Sequence, residues 1–313
     1  MILEVQHETR FEFSEPVTEV LTELRMEPAS DADQSCHSYH LAVTPATGLF
    51  RHQDGFGNCV HHFNLLQPLR ELRVLSASVV ETHPRVRDLA SSRATFPLGP
   101  DEHPLEVLDF VQLGGPVRPT ARLNPLLDAL RPAPGDRVAD LARRVAGYIH
   151  AHFEYARDAT LASSPVDDVL RQGKGVCQDF THLMIALLRS FGVPARYVSG
   201  YLHREADSQS HAWCEAWVPD VGWLGIDPTN DCLADGAFVR VAVGRDFTDV
   251  PPNRGVYRGR ARESIFVRVA TRALERVPSL SWQEQLPPLT APLTAIALPP
   301  RPEAAFDDGA QQQ

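Results

Sequence analysis

The chain has 313 residues, 43% of them hydrophobic, which is enough for one large domain or two ordinary ones around a sizeable core. Its formal net charge of −10 is spread along the sequence and disfavours nucleic acid and anionic membrane, since both call for basic patches. No apolar run reaches the length of about eighteen residues that a membrane span needs, and Met1-Ile2-Leu3-Glu4-Val5 lacks both a basic and an apolar leader region, so no secretory signal is expected.

Residues 1–84 read as β-structure. Leu3, Val5, His7, Thr9, Phe11 and Phe13 alternate with Glu4, Gln6, Glu8, Arg10 and Glu12, the period-two pattern of a strand with one buried and one wet face. Pro16 is expected to end it. Asp54-Gly55-Phe56-Gly57-Asn58 is rich in turn formers and predicts a hairpin, and Leu72 to Val80 predicts a further strand. Several short strands without helices predict a small sandwich. Residues 85–134 read as a connector, with short helices over Leu105–Leu113 and Leu123–Leu130.

A firmer helix follows Pro134-Gly135. Asp136 is the expected N-cap, and Val138, Leu141, Val145, Tyr148 and His152 recur at helical spacing. A loop over Asp158 to Pro165 and the segment Gly173-Lys174-Gly175 lead to a strongly apolar helix bearing Phe180, Leu183, Met184, Leu187, Leu188 and Phe191. Gly192 and Pro194 mark its end. Three strands are then predicted, Ala195–Leu202, His211–Val218 and Trp223–Asp227, the last two joined by a turn over Pro219–Gly222. Ile265–Thr271 reads as a closing strand, so the unit runs over 135–275. The Pro-rich tail, 276–313, is expected to be loosely held.

Five cysteines occur: Cys36, Cys59, Cys177, Cys214 and Cys232. The number is odd and no C-x-x-C pair is present, so neither a disulfide framework nor a zinc site is indicated, and free thiols fit a reducing cytoplasm. His37-x-x-His40 and His61-His62 lack cysteine or carboxylate partners at zinc spacing and read as surface histidines. No EF-hand pattern appears. No metal or cofactor is expected.

Cys177 stands at the predicted start of a helix. There the free N–H groups and the positive end of the dipole favour a thiolate, which is the nucleophilic form, and can also bind the oxyanion formed as a carbonyl is attacked. A lone free cysteine is more often a small buried hydrophobe. His211 begins a strand, where its imidazole can face a cleft, take the thiol proton and return it to a leaving amine. On that strand Ala212, Cys214, Ala216 and Val218 share one face, whose small residues suit a closely packed helix. Asp227 ends the next strand before Pro228, where a carboxylate can orient the imidazole; an Asp-Pro turn is the plainer reading. The three in this order say more than any one of them.

Gly175-Val176-Cys177-Gln178-Asp179-Phe180, His211-Ala212-Trp213 and Asp227-Pro228-Thr229 resemble the three signature segments of the transglutaminase-like superfamily, over residues 137–232. The opening β region and the segment Gly244–Gly259 resemble further parts of its bacterial members. The resemblance implies an α+β fold: a papain-like core, with the helix bearing Cys177 packed on an antiparallel sheet bearing His211 and Asp227, beside an N-terminal β-sandwich-like domain. It also implies acyl transfer from an amide of a protein or peptide through a thioester on Cys177. With no obvious lid to keep water away, hydrolysis is the expected outcome. Transfer to a lysine amine, acetyl transfer to arylamines and a non-catalytic scaffold are the alternatives. Cys214 is expected in the core, Asp179 as a capping carboxylate, and Trp213 and Trp217 as packing. Tyr155 and Gln172 are candidates for an oxyanion donor.

Overall fold

The computed structural model describes residues 1–83, 89, 92–157, 160, 164–204, 209–278 and 294–296. Apart from 276–278 and 294–296, the tail expected to be loose lies outside the described residues, as does most of the loop expected over Asp158 to Pro165.

The opening alternation becomes one long strand, β1 (Ile2–Leu24). β2 (Gln34–Thr44), β3 (Phe50–Gln53), β4 (Cys59–Leu65) and β5 (Leu69–Thr82) follow. The predicted hairpin is the pairing of β3 with β4, and its turn is held by the Asp54 carboxylate, which accepts from the backbone N–H groups of Phe56 and Asn58 at 3.0 Å. Pro16 does not end β1. The register against β5 slips between Glu12 and Val17, so the proline stands where the ladder makes no use of its missing N–H. Beyond the slip β1 pairs with β4. The two halves enclose a core of Phe11, Phe13, Val20, Leu24, Phe63, Leu65 and Leu72.

The face of β1 expected to be wet is covered. Glu4, Gln6 and Glu8 are buried, because β1 lies in the middle of its sheet and long side chains from its neighbours cross it. Arg272 meets Glu4, and Arg73 Nε lies 2.5 Å from Glu8 Oε1.

Short 3-10 turns, among them Leu105–Val111, and the helix α1 (Asn124–Leu130) occupy the connector. Their Val117, Leu123 and Leu130 enter the main core. α2 (Val138–His152) begins at Arg137 rather than at an Asp136 cap; the Asp136 carboxylate instead accepts from Ala133 N at 3.0 Å. β6 (Glu154–Tyr155), α3 (Val166–Gln172) and β7 (Lys174–Gly175) lead into α4 (Cys177–Ser190). β6 and β7 pair in parallel and set Tyr155 beside Gly175.

The second sheet is built from β8 (Ala195–Leu202), β9 (Gln209–Val218), β10 (Gly222–Asp227), β11 (Cys232–Leu233) and β12 (Phe238–Gly244), ordered β11-β10-β9-β8-β12 and antiparallel throughout. Ala212, Cys214, Ala216 and Val218 face Phe180, Leu183, Met184 and Leu187 of α4 in one core, while Trp213 packs on the other side with Val198, Phe238 and Val243. The period-two split of β9 therefore decides which face takes the helix. The fold is α+β, with a papain-like arrangement of helix on antiparallel sheet and a β region at the N-terminus.

The chain then returns. β13 (Asn253–Arg258) pairs with the second half of β1 and β14 (Glu263–Leu274) with its first half; β15 (Thr294–Ile296) lies beside β14. The closing strand expected within 135–275 thus belongs to the sheet of residues 1–83. Its Val267 and Val269 pack toward β1, where both sides of the ladder have apolar cover.

Two side-chain amides join the β region to the open edge of the second sheet. Gln34 accepts from Arg240 N and donates to Arg240 O, both at 2.8 Å, and Asn58 does the same with Val243 at 2.8 Å. They complete β12 as a neighbouring strand would, so the edge presents no free ladder there.

Candidate active site

Cys177 is the first residue of α4, half-buried, after an extended Val176. Asp179 folds back on the turn and its Oδ2 accepts from Val176 N at 2.8 Å and from Thr160 Oγ1 at 2.5 Å. Burial pushes the Asp179 carboxyl up from its ordinary range. The glycine at 175 is set by this carboxylate. A Cβ there would lie 2.8 Å from Asp179 Cβ and Oδ2, so the need for glycine is room for the cap rather than for substrate.

His211 lies near the start of β9, with its side chain largely buried over Trp213 and beside Phe238. Its Nε2 stands 2.7 Å from Asp227 Oδ2. Nε2 being engaged with Asp227, Nδ1 is the ring nitrogen left for the Cys177 sulfur, to which the imidazole is coupled. Burial opposes the charged ring, but the hydrogen bonds to Asp227 and to Cys177 outweigh it and push His211 up to about 10. Asp227 is fully buried at the end of β10. Burial favours its neutral form, yet the carboxyl is held below its ordinary range by His211, Asn230 and the Thr229 N–H. Asn230 Nδ2 reaches Oδ2 at 2.5 Å and Thr229 N reaches Oδ1 at 2.8 Å.

Helix α4 and the second sheet thus bring together the three residues singled out in the sequence. Asn230, which fixes the carboxylate, was not singled out; its signal is the spacing of three residues beyond an Asp-Pro turn. Burial pushes Cys36 and Cys232 up to about 11, raises Cys59 and raises Cys214 further still. Trp217 packs edge to face on Trp223 at 5.4 Å, and Arg196 lies over the Trp223 ring at 4.2 Å. His37 meets Glu81 at 2.9 Å. Tyr155 is exposed and lines a cavity against His211, whereas Gln172 ends α3.

A helix N-terminus carrying a thiol against a sheet that presents a His–Asp pair defines the class, and the comparisons agree. Residues 129–228 match the transglutaminase-like superfamily and residues 3–81 match the bacterial transglutaminase-like N-terminal region. An uncharacterized protein of Mycobacterium leprae is 35% identical over 288 residues, covering 85% of this chain and 97% of its own length. The chain belongs to the transglutaminase-like superfamily, with the bacterial N-terminal region. The crystal structure of "a Putative Cysteine Protease from Cytophaga hutchinsonii" has the same fold, with a TM-score of 0.73 at 21% identity, over 89% of this chain and 93% of that one. A protein-glutamine gamma-glutamyltransferase of Pseudomonas aeruginosa is 32% identical over 126 residues, 36% of this chain and 19% of that protein.

Proposed function

We propose that the protein is a thiol-dependent amide hydrolase acting on a protein or peptide, with Cys177 as nucleophile, His211 as acid and base, and Asp227 as the group that orients the imidazole. The observation that carries this reading is the imidazole of His211, bonded through Nε2 to the Asp227 carboxylate at 2.7 Å and electrostatically coupled to Cys177 at the start of α4. The sulfur attacks the amide carbon while the first N–H groups of α4 receive the oxyanion. His211 passes its Nδ1 proton to the leaving amine, and the C–N bond breaks to leave a thioester. His211 then takes a proton from water, whose oxygen displaces the sulfur, and the acid departs with the thiol restored.

Water is favoured as the acceptor because the cavity wall beside His211 includes the exposed Tyr155. The description of the Cytophaga hutchinsonii neighbour agrees with hydrolysis, and that of the Pseudomonas aeruginosa relative favours an amine acceptor as the second reading. Incubation with glutamine peptides and a labelled primary amine separates them by mass spectrometry. Free acid that disappears in Cys177→Ala supports hydrolysis. Amine incorporation without acid replaces hydrolysis with transfer, and turnover that survives Cys177→Ala removes the enzyme reading.

A further inference from the structure

We infer that Arg204 is a positioning residue for Asp227, acting through Asn230; this rests on the acyl-transfer reading above. Arg204 follows the end of β8 and is exposed. Its Nη2 donates to Asn230 Oδ1. Asn230 Nδ2 in turn donates at 2.5 Å to the Asp227 oxygen, Oδ2, that meets His211 Nε2 at 2.7 Å. A carboxylate offers only acceptors and a guanidinium only donors, so the amide between them has one satisfied orientation. Turned over, its oxygen would face the carboxylate and its NH₂ group the guanidinium. Arg204, His211 and Asn230 line one cavity of about 270 Å³, so the chain of bonds stands in the wall of the site.

The four groups close a circuit. Arg204 and His211 flank the connection between β8 and β9, whose ladder pairs Gly200 with His211 and Leu202 with Gln209. Asp227 and Asn230 lie across the turn that follows β10. The circuit therefore sets how the hairpin carrying the imidazole sits against that turn. The backbone of the turn has supports of its own. His150 Nδ1 in α2 donates to Thr229 O at 2.9 Å, and Asp227 pairs with Cys232 across β10 and β11. Neither holds the Asn230 side chain, which is left to Arg204 and Asp227. Burial disfavours the charge on Asp227, so the carboxylate depends on its donors to stay ionised. Without Arg204 the amide is free to turn, Oδ2 loses a donor, and the carboxylate can swing out of line with Nε2. The imidazole is then less firmly held with Nδ1 toward the sulfur.

Two readouts on the full chain test this, and neither needs a substrate. The first is the downfield proton resonance of His211 Nε2–H, which reports the bond to Asp227. It should shift or broaden in Arg204→Met and in Asn230→Ala, and largely return in Arg204→Lys, which keeps a charged donor. The second is the rate of Cys177 alkylation by iodoacetamide, a neutral probe that a guanidinium does not attract. Arg204→Met should slow it about tenfold, the effect of one hydrogen bond to a charged group. It should slow it no further when Asn230 is already alanine. Because Arg204 is exposed, the methionine leaves no buried defect, and thermal unfolding should be almost unchanged. A resonance unmoved by Arg204→Met overturns the assignment. So does a rate loss of equal size with and without Asn230, which marks a role that bypasses the amide. Wild-type alkylation no faster than that of free cysteine, with a resonance that still depends on Arg204, defeats the nucleophile reading and leaves the circuit standing. Fast alkylation indifferent to Arg204 does the opposite.

Discussion

Asp227 Oδ2 accepts at once from His211 Nε2, at 2.7 Å, and from Asn230 Nδ2, at 2.5 Å. Only a charged carboxylate suits this position, because Thr229 N occupies the other oxygen. An asparagine there must aim its NH₂ group at one set of donors and lose the tautomer that keeps a nitrogen turned toward the sulfur. Asp227→Asn is therefore expected to lower kcat by about 10³–10⁴, as removing the orienting carboxylate does in related triads. The substitution should also cost about 1–3 kcal/mol of stability through an unpaired buried donor. Steady-state kinetics and urea titration on one preparation check both. A loss below tenfold would make Asp227 a turn residue and nothing more.

The same pair sets the alkaline limit. His211 holds its proton up to about 10 although burial alone would release it earlier than the ordinary 6.5. Its folded value lies above its unfolded one. The proton's contribution to stability is thus complete below about 6.5 and is lost as pH rises through about 10. Asp227 behaves in mirror image: its stabilisation is present above the ordinary carboxylate range and disappears as pH falls through its depressed value. In the proposed mechanism the imidazolium protonates the leaving amine, so acylation should decline above about pH 10, and the limb should move to lower pH in Asp227→Asn. A pH–rate profile of acylation with an alkaline limb unmoved by that substitution would assign the limb to another group.

How far the fold was legible follows from how local each signal is. Helix α4, its end before Gly192 and strand β8 were readable because apolar spacing and turn formers act over a few residues. The two faces of β9 were readable for the same reason, since alternation fixes them. The course of β1 was not. Pro16 is a strand breaker by itself, and its tolerance depends on a register slip against β5 that no window on the sequence contains. Nor was the covering of Glu4 and Glu8, because the arginines responsible are supplied by β5 and β14. Cys177, His211 and Asp227 stood out through motif context. Asn230 did not, because its importance comes only from facing Asp227.

Arg189 shows how one buried charge can stand in for missing strands. It is 4% exposed at the end of α4, and it donates to Ala195 O at 2.8 Å, Gln112 O at 2.7 Å and Arg245 O at 2.6 Å. These carbonyls belong to the start of β8, the connector and the segment after β12. Arg189→Met fills the volume but leaves three carbonyls bare, at about 1–3 kcal/mol each. Urea titration should show at least about 3 kcal/mol lost, with little rescue by Arg189→Lys, which lacks the planar fork. A smaller loss would mean that water replaces the guanidinium.

Gly200 pairs with His211 across β8 and β9, and nothing larger fits. A Cβ at this position would stand 2.1 Å from Val239 O and 2.7 Å from Trp213 Cη2. The first contact involves backbone and cannot be relieved by a rotamer change. Gly200→Ala should cost about 3 kcal/mol. Because relief must move Trp213 or β8, which support the imidazole, activity should fall even under conditions where the variant stays folded. Thermal unfolding combined with Cys177 alkylation separates the two effects. Wild-type alkylation in a destabilised variant would show that the strain is absorbed on the side of β12.

Gln34 and Asn58 make a prediction about the join between the two sheets. Each amide satisfies both the N–H and the C=O of one residue of β12, and Asn58 is itself held by the Asp54 carboxylate at 3.1 Å. Asn58→Ala leaves a buried donor and a buried acceptor unpaired, which should cost about 2–4 kcal/mol. Asn58→Asp should be no milder: it keeps the acceptor, loses the donor and sets a carboxylate against Val243 O and Asp54. Gln34→Ala should cost less, because the Ala29 N–H still reaches Arg240 O at 3.2 Å and only the Arg240 N–H loses its partner. The loss should appear first as faster hydrogen exchange at Arg240 and Val243, with α4 still protected, because the bonds removed lie at the sheet edge and not in the helix core. Uniform loss of protection across α4 and β12 would instead show that the two sheets unfold as one unit.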